Sequence, residues 1–243
     1  MKLRSAALFA LPFTLAACGG GSGGSSGSSS AGPVQAQNVS TLVAPVQGEK
    51  RVYTTTIANL DGATATHSFF ETIAQVNADG SYVANWSDDD YVLDGNHYGN
   101  DPWTYVYNNV GDIIGLGTII DPYPNNCTYT YPSGGRPVTM QTGQTWDDSY
   151  VEKCPGNSGG TSTTQNGTYL GVENISVPAG RFQAYKFQLV QPYSSTYTIT
   201  FTNWYDASST DSRLVRQLWQ YSYGSQTPNG QATNYMDLQL SSY

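Results

Sequence analysis

Histidine and cysteine are almost missing from this 243-residue sequence, which has two of the first and three of the second. A zinc or similar metal centre draws about four nitrogen and sulfur ligands, so no such site and no cofactor is expected. Lysine and arginine are scarce too, ten against 18 acidic residues for a net charge of −8. Without a basic patch a nucleic-acid partner is not expected. Long apolar runs are absent: the longest uncharged, mostly apolar stretch is Ala6 to Ala17, too short for a helix to span a bilayer. Sustained 3.6-residue periodicity is also missing, and 26 Gly and 12 Pro are spread along the chain. Long helices are therefore nearly excluded.

The apolar stretch follows Lys2 and Arg4, and a basic start before a short apolar core is the pattern of an export signal. It ends in Leu15-Ala16-Ala17-Cys18, which resembles the lipobox of bacterial lipoproteins. That resemblance implies a diacylglycerol thioether on Cys18, cleavage before it and acylation, palmitate included, of the new amino terminus. An ordinary secretory signal with a chance cysteine is the alternative. Gly19 to Gly32 holds only Gly, Ser and one Ala, and no residue from Ser5 to Gly48 is charged. Such a segment has no apolar surface to bury and remains a coil, reaching roughly 30 Å. The expected organisation is a signal over residues 1–17, a lipidated Cys18 and tether over 18–47, and one domain over 48–243. The partner implied at the N-terminus is a membrane, in the bacterial cell envelope. In Gram-negative lipoproteins an Asp after the cysteine favours inner-membrane retention, so Gly19 at that position implies the outer membrane.

After processing, the chain keeps eight basic and 18 acidic residues, a net charge of −10. The two cysteines left are Cys127 and Cys154, and an even pair in an exported protein reads as a disulfide. No C-x-x-C and no basic neighbour of Cys127 argue for a redox role.

Two-residue alternation dominates the domain. Tyr197, Ile199 and Phe201 alternate with threonines, and the same period runs through Tyr185/Phe187/Leu189, Trp103/Tyr105/Tyr107, Val215 to Tyr223 and Met236/Leu238/Leu240. These are half-buried strands of an antiparallel sheet. Turn residues at Asn77–Gly80, Asp94–Asn96, Ser133–Gly135 and Pro228–Gly230 mark hairpins. A single helical turn over Ser68 to Ala74 is compatible with the pattern. The fold class is all-β, as a curved antiparallel sheet, half-barrel or sandwich with one disulfide.

Three stretches carry a further resemblance: Pro137 to Trp146 with its G-x-x-W; Gly171 to Lys186 with V-P-A-G-x-F-x-A-x-K; and Asn203-Trp-Tyr-Asp-Ala followed by Arg213 to Arg216. Together they resemble a motif set of uncharacterised bacterial envelope lipoproteins, similar to the LolA/LolB-like half-barrels of lipoprotein sorting. The resemblance covers roughly residues 135–220 and implies a curved sheet or open half-barrel, with no reaction attached. Val177-Pro178-Ala179-Gly180 is a hairpin signature in its own right, with an extended residue before proline and a glycine in the turn.

Candidate chemistry has a sharp and a plain reading at each place. Gly156-Asn-Ser-Gly-Gly160 resembles the nucleophile loop of trypsin-like and HtrA-like proteases, which implies Ser158 as nucleophile, His67 as base and Asp94 or Asp101 as its orienter. Yet too few residues precede His67 for that fold's first barrel, and the segment reads equally as a polar loop next to Cys154. Asp88, Asp90 and Asp94 supply oxygen ligands of the kind calcium takes, or form a solvated turn. Asp147 and Asp148 beside Trp146 offer paired carboxylates for glycoside hydrolysis, a chemistry that needs a set separation across a cleft.

The aromatic load is 19 Tyr, 5 Trp and 7 Phe. Trp103/Tyr105/Tyr107 and Trp219/Tyr221/Tyr223 each line one strand face, where they pack a core or receive a ligand, sugar rings by stacking or an acyl chain along the sheet. The sequence therefore points to a non-enzymatic lipoprotein with a hydrophobic, saccharide or protein partner. A serine hydrolase and a structural surface protein or adhesin are the rivals.

Overall fold

The computed structural model describes residues 37–38, 45–99, 102–108, 113–118, 125–134, 139–155, 159–194, 197–207, 213–224, 230 and 232–243. Cys18, most of the tether, Asp101 and Ser158 lie outside the described residues.

Sixteen strands and no helix make up the described residues. They are β1 (Gln37–Asn38), β2 (Lys50–Asn59), β3 (Thr64–Val76), β4 (Tyr82–Asp88), β5 (Tyr91–Leu93), β6 (Asn96–Tyr98), β7 (Trp103–Tyr107) and β8 (Ile113–Thr118). The second half adds β9 (Asn125–Gly134), β10 (Thr139–Met140), β11 (Thr145–Lys153), β12 (Thr161–Val177), β13 (Gly180–Ser194), β14 (Tyr197–Asp206), β15 (Leu214–Tyr223) and β16 (Thr233–Ser242). Twelve of them close into a barrel in which each strand pairs antiparallel with the next along the chain. The ring shuts where β16 pairs with β2, Leu238 opposite Thr55 and Leu240 opposite Tyr53. β1–β10 and β5–β6 form two separate two-stranded ladders. The fold is thus all-β and antiparallel, and it closes beyond the open half-barrel implied by the motif resemblance.

Alternation decides which side chains enter. On β2, Arg51, Tyr53, Thr55, Ile57 and Asn59 are buried, whereas Lys50 and Thr54 are exposed. Every row read from the sequence turns its apolar members to this interior. One core joins Tyr53, Val215, Leu238 and Leu240 to Val177 and Phe182; a second joins Met140, Trp146, Tyr169 and Phe187. The outer positions of β2 and β3 are mostly Thr and Ser, among them Thr54, Thr56, Thr64, Thr66 and Ser68. A barrel that crosses a membrane presents an apolar band about 25 Å tall to lipid, and these strands present threonine.

The expected hairpins at Gly80 and Gly95 are present, joining β3 to β4 and β5 to β6. Asp94 and Gly95 both have positive φ, 51° and 74°, the type I′ geometry that suits a two-residue hairpin. The Val177–Gly180 hairpin joins β12 to β13, with Val177 paired to Gly180. Its tip folds onto the last strand through a 2.9 Å bond from the Ala179 amide to the Leu240 carbonyl. The helical turn over Ser68 to Ala74 does not form; those residues belong to β3. Adjacent apolar pairs, Phe69-Phe70 and Ile73-Ala74, blur the alternation there, because Phe70 sits on the outside and is 39% exposed.

The second and third motif segments converge. Glu173, Lys186, Trp204 and Arg216 come from four adjacent strands and meet on the outer face around one indole. Lys186 and Arg216 stand 5.1 and 5.0 Å from the Trp204 ring centre, a cation–π arrangement. Glu173 accepts from the Trp204 Nε1–H and, at 3.1 Å, from Lys186 Nζ, while Arg216 grips Asp237 with two 2.8 Å bonds. Burial pushes the Glu173 carboxyl up, but its bonds from Trp204 and Lys186 and the charges of Lys186 and Arg216 outweigh that and hold it low. Trp146 of the G-x-x-W segment lies flat over Gly167, where a Cβ would come within 2.1 Å of the ring. Only glycine fits there. These motif residues thus take part in barrel construction.

Candidate ligand-binding interior

Two aromatic walls face each other inside the barrel. On one, Trp103, Tyr105 and Tyr107 of β7 lie opposite Trp86, Ala84 and Tyr82 of β4. On the other, Trp219 and Tyr221 of β15 lie opposite Phe201 and Ile199 of β14. β14 stands six strands from β7 in a ring of twelve, diametrically across. Within the walls the rings interlock: Tyr82 stacks on Tyr107 at 4.6 Å, and Phe201 meets Trp219 edge-on at 5.0 Å. These are offset and T-shaped contacts of the favourable kind.

Trp103, Tyr105, Tyr107, Phe201, Trp219 and Tyr221 remain half-buried although they point inward. Burial nevertheless pushes the Tyr105 hydroxyl up and the Tyr107 hydroxyl well above the ordinary tyrosine value, with Tyr82, Glu71, Tyr105 and, from the far wall, Tyr205 adding to it at Tyr107. These rings face the interior and keep part of their surface in contact with solvent. Tyr223, the last member of its row, is buried instead and donates to the Thr233 carbonyl at 2.6 Å.

Neutral polar groups are set among the rings. Gln217 Nε2 donates to Asn203 Oδ1 at 2.9 Å, and Gln191 Nε2 donates to the Tyr150 hydroxyl at 3.0 Å. Thr55 Oγ1 and the indole N–H groups of Trp86 and Trp219 have no partner among the described residues.

Charge closes the lower end, where β2 begins. Arg51 and Glu71 are each 4% exposed and bond at 3.3 Å, while Arg51 also holds Glu49 at 2.8 Å. Tyr53 donates its hydroxyl to Glu71 at 3.1 Å. Burial drives the Glu71 carboxyl up even though Arg51 and the Tyr53 bond pull it down. Neither charge was read as interior from the sequence, although the parity of Arg51 with Tyr53 and Ile57 carries that signal.

The upper end is covered by the β5–β6 hairpin. Leu93 packs with Ile57 and Ala65, and Tyr91 stacks on His67 at 4.0 Å and 11°. Asn59 Nδ2 donates to Asp94, and Asp89 exchanges two bonds with the Ser68 backbone. His67 is 5% exposed, and neither ring nitrogen has a hydrogen-bond partner among the described residues. Asp94 is thus engaged by Asn59 and does not orient the imidazole. Burial lowers the His67 value, against the opposing charge of Asp89. Protons then bind the unfolded chain first as pH falls. The stability tied to neutral His67 is complete above the ordinary histidine value of about 6.5 and is lost as pH drops below it toward the folded value. Urea unfolding at pH 7.5 and 5.5 checks this: His67→Phe is expected to lose less stability across that interval than the wild type.

The other sequence candidates are placed apart. Asp88, Asp90 and Asp94 do not form a ligand cluster among the described residues; the acidic or thiol group that does gather is Cys127, Glu152 and Cys154, and its sulfurs are joined in the expected disulfide. Asp147 and Asp148 point to opposite faces of β11, the first to Asn166 outside and the second, buried, to Gln165.

No protein family matches this chain, and neither does any curated protein. Among solved structures it has a distant likeness to a Bacteroides fragilis protein of YmcC-like fold, provisionally classed as exported, at 13% identity and a TM-score of 0.42, over 83% of this chain and 97% of that one.

Proposed function

We propose that this is a non-enzymatic lipoprotein of the bacterial outer membrane, anchored through Cys18, whose barrel holds a small ligand between its aromatic walls. The observation that carries the reading is the pair of inward-facing, half-buried rows at Trp103–Tyr107 and Trp219–Tyr221. In an adhesin with a solid core those tryptophans would be fully packed. The threonine-rich outer face and the disulfide suit a soluble body in an oxidising compartment outside the cytoplasm. The chain enters the barrel at its lower rim, where the Gly48 amide bonds to the Ile73 carbonyl. A lipid at Cys18 would put that rim toward the membrane and the β5–β6 hairpin away from it.

Two measurements test this. Wild-type protein labelled with radioactive palmitate should carry the label, and Cys18→Ala should not; equal labelling defeats the anchor. Protein purified from its native envelope and then denatured should release a near-stoichiometric small molecule seen by mass spectrometry. An empty barrel without saturable binding of any probe defeats the ligand.

A further inference from the structure

The hairpin over the upper end is not part of the ring. β5 and β6 form a ladder of their own. The β3–β4 ladder stops at Phe69 opposite Asp88, whereas the β2–β3 ladder runs on to Thr64. The hairpin, rather than β4, therefore covers His67: Tyr91 stacks on the imidazole at 4.0 Å, and Tyr98 stacks on Tyr91 at 5.3 Å. The hairpin hangs from a narrow base, where Gly99 comes so close to Asp89 that an added Cβ would lie 2.2 Å from its carbonyl oxygen. Its hold on the barrel is Leu93 against Ile57 and Ala65, the Tyr91 stack and the bond from Asn59 to Asp94. Three-residue strands in a two-stranded ladder have little stability of their own, and such units open at lower cost than the body that carries them.

We propose that the β5–β6 hairpin is an acid-operated flap, shut over His67 while the imidazole is neutral and lifted when it takes up a proton. Closed, the ring is 5% exposed with neither nitrogen bonded among the described residues. An imidazolium in that place would bury two N–H donors and a charge without an acceptor. Thr55, opposite it on β2, and Phe69, beside it on β3, are uncharged. The acidic groups nearby are each placed otherwise. Asp89 favours the protonated ring, yet its Oδ1 accepts from the Ser68 amide at 2.7 Å. Asp94 is held by Asn59, Asp88 stands opposite Phe69, and Asp90 and His97 are exposed. Burial outweighs Asp89 and keeps the covered imidazole neutral below its ordinary value. Lifting the flap returns the ring to water and to about 6.5. Proton uptake therefore favours the lifted state as pH falls through that value toward the closed-state one, and neutral pH favours closure. No ring ladder runs through β5 or β6, so the barrel stays shut on itself while its upper end is uncovered. The flap works in this way whether or not the barrel carries a ligand.

Amide exchange of the full chain at pH 7.5 and 5.5, each rate divided by the intrinsic rate at the same pH, tests the flap. The expected result is a severalfold loss of protection over Tyr91–Tyr98 at pH 5.5, with β12–β14 unchanged. His67→Phe should keep its flap protection at both values, and His97→Gln, which removes the exposed histidine of the hairpin itself, should respond as the wild type does. Should His67→Phe fail to fold, the wild-type protein still decides: the His67 ring protons, followed by NMR from pH 8 to 5, must titrate over the interval in which the flap loses protection. Flap protection that does not change with pH overturns the proposal, as does a loss spread evenly around the barrel. An equal loss in His67→Phe, or a flap that opens while His67 does not titrate, overturns it by assigning the response to the carboxylates of the hairpin.

Discussion

Arg51→Leu is expected to lower the unfolding free energy by about 3–5 kcal/mol, the usual loss when one member of a buried ion pair is removed. Both partners are 4% exposed, so neither water nor salt replaces the missing charge. Glu71 would be left with the Tyr53 hydroxyl alone. Burial already holds its carboxyl above the ordinary value, and without the guanidinium it rises further and takes up a proton. A carboxyl raised in the folded state regains stability as pH falls through that raised value toward its ordinary one, so the deficit of the variant should shrink on going from pH 7.5 toward 5. The partner variant Arg51→Leu/Glu71→Leu should recover most of the loss, because a well-packed apolar pair is often as good as a buried ionic one. Urea unfolding followed by tryptophan fluorescence reads all three quantities. A single variant as stable as the wild type at pH 7.5 would show that the pair contributes nothing.

Cys127→Ser is expected to cost about 3.5 kcal/mol in the chain-entropy account of a loop this long. The bond joins β9 to the residue just after β11 across 27 positions. Its neighbourhood is the thinnest part of the ring: β7 has five residues, and β8 has six, including Gly115 and Gly117. Short, glycine-bearing strands give little burial to hold a barrel together. The loss should therefore appear first as faster amide exchange in β7, β8 and β9, with β12–β14 still protected. Dithiothreitol should reproduce it in the wild type and have no effect on the variant. Uniform loss of protection around the barrel would argue against a weak arc.

Much of this architecture is legible along the chain, because alternation is local. The period of two at Tyr197/Ile199/Phe201 and at Trp103/Tyr105/Tyr107 states which side chains share a face, and every such row does enter the interior. Turn chemistry at Asp94-Gly95 and Val177–Gly180 states where strands reverse. Closure is not local. The pairing of β16 with β2 joins residues about 185 positions apart, and no feature of Thr233–Ser242 names Lys50–Asn59 as its neighbour.

The site was half legible. The tryptophan and tyrosine rows were visible, but a sheet face alone does not distinguish a packed core from a lined space; that needed the opposite wall. His67 drew attention as the base implied by the protease-like loop, whereas its place is beneath Tyr91 with neither nitrogen bonded among the described residues. The motif residues Glu173, Lys186, Trp204 and Arg216 looked like family markers without a task. Their register across four strands shows them gathered on one outer surface.

The join between the first and last barrel strands has a consequence for company. An open sheet ends in two rows of bare amide and carbonyl groups, and such margins recruit further strands from other chains. A ring has no margin. Neighbouring copies of the protein therefore find no ladder to extend along the ring, where only the two-stranded ladders β1–β10 and β5–β6 keep free edges, and whatever docks against the barrel wall must recognise side chains and loops.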